Sequence, residues 1–207
     1  MRKRKSPPGN LAAHFFSSLS LPIFASAGLI WLAICRDIAI VHRPSLAAAV
    51  SLVAYVAMVL FSLWMAERST ATTESIRRLY RLRGSTVPVC LVAILAAGLP
   101  TVRFGVDWGH VALALPASAA VALVEEFAFR AVLFAIWEER LGTAGAVIGT
   151  SATFVAAHAA LYPPRILLVG ATLSLLFALW RVIRQDLVIP TVVHAVLDAL
   201  AAGALGG

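Results

Sequence analysis

Three short polar clusters interrupt otherwise apolar helical runs: Glu125-Glu126-Phe127-Ala128-Phe129-Arg130, then Phe154 four residues before His158, then His194 four residues before Asp198. In hydrocarbon each mid-helix charge costs about 2.5 to 3.5 kcal/mol, so such side chains pair inside a bundle or line a wet cavity. Glu126 and Arg130 are four apart and share a helix face, whereas Glu125 is turned from Glu126 by about 100°. That spacing separates two adjacent carboxylates into one neutralised by Arg130 and one free to face a cavity as a general base. His158 and His194 add imidazoles able to accept or donate a proton, or to bind a metal. Asp198, one turn after His194, can hold a neighbouring group or share in metal binding. Phe154 reads as a packing wall. A lone histidine in an apolar helix is usually a hydrogen-bonded packing residue, but two histidines, three carboxylates and an arginine in one small bundle read as a single buried reactive site.

The elements that must position these groups are set by lipid. Of the 207 residues, 61% are hydrophobic and only 13% charged, and the mean hydropathy is +0.91. Soluble domains carry charge at about a quarter of their positions, so this is an integral membrane protein. The length and the short polar loops predict an all-α, polytopic transmembrane helical bundle with the polar site inside its C-terminal four helices. A hydrocarbon core of about 30 Å needs about 20 helical residues. Seven runs meet or approach that: Leu11–Cys35, Leu46–Ala66, Val87–Val102, Trp108–Trp137, Leu141–Tyr162, Ile166–Ile183 and Leu187–Gly206. The fourth is long enough to tilt or break near Pro116. Residues 1–107 hold the first helices and a basic loop, and residues 108–207 the site-bearing core, all in one integrated bundle. Gly145 and Gly149 give the fifth run a GxxxG spacing suited to close helix packing.

Lys and Arg orient the bundle, since loops rich in them stay cytoplasmic. With the N-terminus inside, inner segments hold twelve: Arg2, Lys3, Arg4, Lys5, Arg68, Arg77, Arg78, Arg81, Arg83, Arg140, Arg181 and Arg184. Outer loops hold four: Arg36, Arg43, Arg103 and Arg165. The net charge of +7 sits in these loops and is explained by anionic lipid headgroups, so no nucleic-acid partner is expected. Arg2 to Lys5, the apolar run and Ala25-Ser26-Ala27 imitate a cleavable signal. The run continues through Gly28 to Ile34, however, and reads as an uncleaved anchor. Cys35 and Cys90 fit no metal or redox spacing. A basic, alanine-rich chain of this size points to a bacterial inner (plasma) membrane.

The ordered trio EExxxR, FxxxH and HxxxD resembles the CPBP intramembrane proteases, a family that includes the CAAX prenyl endopeptidase and the bacterial abortive-infection proteins. The resemblance covers about Trp108 to Gly206, and Asp198 stands where many members have Asn. It implies that Glu125 and His158 activate a water for attack on a peptide carbonyl. His194 and Asp198 would orient the substrate or stabilise the oxyanion, while Glu126 and Arg130 hold the first motif helix in place. The implied activity is an endopeptidase acting on a membrane-anchored protein or peptide. No cofactor is expected: His158, His194 and a carboxylate could form a zinc site, but HExxH is missing and the resemblance favours a metal-free mechanism. Two other classes would use the same residues. A non-catalytic immunity protein of this family would keep them as a structural network. A proton-coupled transporter would need inverted repeats, which the sequence lacks.

Overall fold

The computed structural model describes residues 11–42, 44–69, 73–81 and 106–205, and among these every regular element is helical. Helix α1 is Leu11–His42, and a short turn at Pro44–Leu46 leads into α2, Ala47–Ala66. Helix α3, Thr73–Leu79, is short and carries Arg77 and Arg78. Helix α4, Trp108–Glu125, runs on through a π-helical segment, Glu126–Leu133, into α5, Phe134–His158. Helices α6, Pro164–Arg184, and α7, Val188–Leu205, complete the order. Among the described residues, three stretches are long and apolar enough to cross a membrane: Leu19–Ile38, Ala47–Ala66 and Pro164–Arg184. Val188–Ala204 is a shorter apolar helix. The expected third span, Val87–Val102, lies outside the described residues.

Two expectations about the chain's path need correction. The helix does not break near Pro116, which sits inside α4. The turn expected between the fourth and fifth runs falls at Gly142, where φ is +70° and ψ −179°. This region is essentially open only to glycine, so helical geometry stops there and resumes on the other side. The two arms of α5, 134–141 and 143–158, then fold against each other. Trp137 and Thr153 both reach the Ser26 hydroxyl of α1, and a Cβ at Gly149 would lie 2.7 Å from the Trp137 ring. The close approach inferred from the GxxxG spacing is therefore, at Gly149, an approach to Trp137 of the same hairpin.

The second correction concerns Arg36. It belongs to no outer loop: α1 extends seven residues beyond Cys35 to His42, and Arg36 and Asp37 are buried within it. The loop boundary was misplaced because a charged pair ends an apolar run in most sequences, yet here Ile38 to Val41 continue it.

The hairpin at Gly142 also fixes depth. Glu125 lies 17 residues before the turn (142 − 125) and His158 lies 16 after it (158 − 142), so antiparallel arms bring the two level. His194, seven residues into its expected span, seemed about 15 Å too shallow to join them at helical rise. The helices do not start at a common depth, however. Leu187, just before α7, is buried with Ala131 of the π segment and Leu79 of α3, and its N–H donates to the Leu79 carbonyl (2.7 Å). Helix α7 thus begins level with the π segment, inside the bundle, and runs back along α4. Its Gly203 packs on Asp107 and Val111 at the other end. The main core joins Ala25, Leu29 and Ala33 of α1 with Met58 and Met65 of α2, with Ala128, Phe129, Val132 and Leu133 of the π segment, and with Ile136, Phe154 and Ala157 of α5.

Candidate active site

The π-helical segment carries the first motif. Such segments are rare and are found mostly at functional sites, because the wider turn reshapes which side chains face inward. Seven of its eight residues are buried, and Glu125, Glu126 and Arg130 are at most 2% exposed. Arg130 Nη1 pairs with Glu126 Oε1 at 3.2 Å, and Nη2 donates to the Ser174 hydroxyl of α6 at 2.9 Å. The guanidinium also lies 4.3 Å from the Phe154 ring centroid and 5.9 Å from those of Phe129 and Phe177. Arg130 is therefore caged by three aromatic faces, a carboxylate and a hydroxyl, an arrangement that suits a planar cation.

Both histidines are anchored by Nδ1. His158 Nδ1 donates to the Phe154 carbonyl (2.8 Å), and the imidazole lies over the Phe154 ring with centroids 4.2 Å apart. His194 Nδ1 donates to Glu126 Oε1 (3.0 Å). Carbonyl and carboxylate oxygens only accept, so each Nδ1 carries a proton and each Nε2 is left to face the cavity. Both Nε2 atoms address the same oxygen: Glu125 Oε2 lies 3.6 Å from His158 Nε2 and 3.8 Å from His194 Nε2. These separations exceed direct hydrogen-bond length. Asp198 Oδ2 lies 3.6 Å from His194 Nε2. Every candidate residue of the three motifs thus falls within one cluster, with Glu126, Arg130 and Phe154 behind it and Glu125, His158, His194 and Asp198 at its face.

A cavity of about 490 Å³ opens in front of this face. Leu161, Ile166, Leu173 and Phe177 line one side, and Leu197 and Ala201 the other. Helix α6 packs on α5 and α7 on α4, so the cavity lies between two helices that scarcely meet. Among the described residues, no three His, Cys, Asp or Glu side chains are grouped so as to hold a metal ion.

Three cavity-lining polar residues, Arg36, Ser51 and Tyr55, come from outside the expected four helices, and two of them reach the carboxylate. Arg36 of α1 and Tyr55 of α2 both reach Glu125 Oε1: Arg36 Nη1 donates at 3.2 Å and the Tyr55 hydroxyl at 3.4 Å. Ser174 and Phe177 likewise went unread. The signal for Arg36 was present, since a charged residue followed by further Ile and Val is a charge inside a span; nothing in the spacing marked Tyr55, Ser174 or Phe177.

With this geometry in view, comparison with known proteins gives one match. Residues 107–200 match the family described as type II CAAX prenyl endopeptidase Rce1-like. The stretch is a little under half of the chain, contains all three motifs, and bears out the resemblance they carried. The matching family is a protease family, and its match, together with three helices among the described residues that are long and apolar enough to cross a membrane, points to an integral membrane protein. Arg36 and Tyr55 fall outside the matched residues. No curated protein and no solved structure matches the chain.

Proposed function

We propose that the protein is a glutamate-type intramembrane endopeptidase. The observation that carries this reading is the convergence of two Nε2 atoms on one carboxylate oxygen of Glu125 beside an apolar cavity. In the proposed reaction a water between Glu125 and His158 loses a proton to this pair as it attacks the scissile carbonyl, and the proton passes to the leaving amine. His194 as the imidazolium and Asp198 as the neutral acid face the developing oxyanion, since only their protonated forms can donate to it, and a fixed donor there is worth about 10²- to 10³-fold in rate. Glu126 and Arg130 act behind them: Glu126 holds the His194 ring, and Arg130 holds Glu126 and the Phe154 wall on which His158 rests. No metal has a step in this scheme.

The substrate is a membrane-anchored protein segment, such as a C-terminal tail, which reaches the cavity from lipid between α6 and α7. Ile166, Val169 and Leu176 on that side of α6 are exposed, as befits a face toward lipid or an apolar substrate. The topology is N-terminus in, in a bacterial inner membrane. Moving the buried Arg36 into α1 and, by the same criterion, the buried Arg181 into α6 leaves three outer basic residues (4 − 1) against eleven inner ones (12 − 1), a bias that supports that orientation.

The experiment compares wild type with Glu125→Gln and His158→Ala in the native host at matched membrane abundance, reading the termini of membrane proteins by proteomics. The expected result is that both variants accumulate the same uncut protein. Unchanged termini would return the site to a structural role.

A further inference from the structure

Resting on the peptidase reading, we propose that Arg36 and Tyr55 are positioning residues for the Glu125 base: they bind its Oε1 so that Oε2 alone faces the reacting water. A carboxylate has two oxygens and a broad, two-fold terminal torsion, so a buried Glu is held to one orientation only by what grips it. Here the grip is one-sided. Oε1 receives Arg36 Nη1 and the Tyr55 hydroxyl, while Oε2 looks toward the two histidines.

The grip is itself built. Arg36 donates from Nε to Asp37 Oδ1 at 2.8 Å, its Nη2 lies 2.7 Å from the same oxygen, and Nη1 donates to the Tyr55 hydroxyl oxygen. The Arg36 guanidinium also lies 5.2 Å from the Tyr55 ring centroid. Asp37 is 1% exposed and Arg36 is 5% exposed, so this ion pair has been taken out of solvent on the wall of the cavity. A buried ion pair is a poor stabiliser, since desolvation offsets much of the attraction, so stability alone is weak grounds for placing one here. Asp37 fixes the guanidinium, the guanidinium and the phenol fix Oε1, and the first two helices thereby complete a site whose other members all lie on the C-terminal stretch.

The test uses the purified full-length protein in detergent. Its substrate is a membrane-anchored reporter carrying the tail whose cleavage distinguishes wild type from Glu125→Gln. Displacing a catalytic group by about 1 Å can cost about 10²-fold, so Arg36→Gln is expected to lower kcat by about 10- to 100-fold with KM held within about threefold. Tyr55→Phe, which removes one oxygen and leaves the packing, is expected to lower kcat by about three- to tenfold, the weaker effect of losing the longer of two hydrogen bonds. Arg36→Lys returns the charge and recovers part of the loss. The double variant Arg36→Gln/Tyr55→Phe falls short of the product of the singles, because both grip one oxygen.

If Arg36→Gln raises KM and spares kcat, Arg36 binds substrate and the proposal is overturned. If Tyr55→Phe and Arg36→Gln leave both constants unchanged while Glu125→Gln is inactive, the peptidase reading stands and the positioning role falls. Should Arg36→Gln fail to fold, Tyr55→Phe decides by the same criterion. Full activity in Glu125→Gln would remove the peptidase reading and this inference with it.

Discussion

Replacing Arg130 by Met is the sharpest test of how the site is held. The side chain is 1% exposed and its ion-pair partner Glu126 is fully buried, so deleting the cation leaves an anion whose remaining close partner is His194 Nδ1. Breaking a buried pair by removing one member costs about 3 to 5 kcal/mol, and the orphaned Ser174 hydroxyl falls within that range. For a chain of this length about 1 kcal/mol corresponds to about 2 to 4 °C, so Arg130→Met should melt about 6 to 20 °C below wild type in detergent. The decisive comparison is the double variant Glu126→Gln/Arg130→Met. Once neither residue is charged, no uncompensated ion remains, and the double variant should recover about half of the loss or more. Arg130→Lys should lose nearly as much as Arg130→Met, because an ammonium cannot pair with Glu126, bond Ser174 and lie on Phe154 at once. Thermal melts of purified wild type, Arg130→Met, Arg130→Lys, Glu126→Gln and the double variant, read by intrinsic fluorescence and checked by gel filtration, give all five values. A single variant within about 2 °C of wild type would refute the argument, as would losses that simply add, because either means the pair is not coupled.

Gly142→Ala should lower stability by about 1 to 3 kcal/mol although nothing lies within 4 Å of the added Cβ, because the cost is backbone strain at positive φ; an unchanged melting temperature would mean the hairpin does not need that conformation. Asp198→Asn should keep activity, as an amide donates to an oxyanion without needing an added proton, whereas Asp198→Ala should lose about 10²- to 10³-fold in kcat, the worth of one fixed oxyanion donor; full activity in the alanine variant removes Asp198 from the mechanism. Activity should survive exhaustive chelation, with zinc well below one per protein; stoichiometric zinc lost together with activity would replace the proposed mechanism by a metal-dependent one. Asp107 caps α4 through the Gly109 and His110 N–H groups, and the hydrogen bond from the His110 side chain, with those from the backbone, holds its carboxyl below the usual range. Because the folded value is depressed, its contribution is full above the unfolded value and is lost as pH falls through the folded one. Asp107→Ala should therefore melt lower at neutral pH and converge with wild type in acid, and a difference that persists there would argue against the cap.

The site was legible in outline because its chemistry conflicts with its surroundings. A carboxylate pair followed by Arg130, and two histidines each one turn from a fixed partner, stand out in an alanine-rich apolar chain, and their order carried the family resemblance before any geometry was known. The misreadings share one physical cause: local patterns give helix phase but not helix depth or ends. The fourth run was expected to tilt or break near Pro116, yet a proline removes one hydrogen bond from a helix that neighbours can support and the helix continues there, whereas the turn between the fourth and fifth runs sits on Gly142, in a backbone region that a helix cannot contain. The π segment left no trace in the spacing, since Glu126 and Arg130 pair at four residues in either kind of turn. The depth of His194 depended on Leu187 meeting Leu79 and Ala131, a tertiary contact no window along the chain could supply.

Arg36 shows most clearly what a chain-local reading loses. Counted as a loop residue it was one of four outer charges; placed in α1 it becomes the cation on Glu125 Oε1, eighty-nine residues away in sequence. The polar cluster then has a consistent division. On Glu125, Oε1 is committed to Arg36 and Tyr55 and Oε2 is offered to the cavity; on each histidine, Nδ1 is committed to a buried acceptor and Nε2 is offered. Glu125, His158 and His194 therefore each have one atom fixed by the fold and one presented for chemistry, an arrangement that lowers the reorganisation needed when charge develops nearby. The three presented atoms converge at 3.6 to 3.8 Å, too far apart to bond one another directly, and so stay available to a water or substrate atom in the cavity.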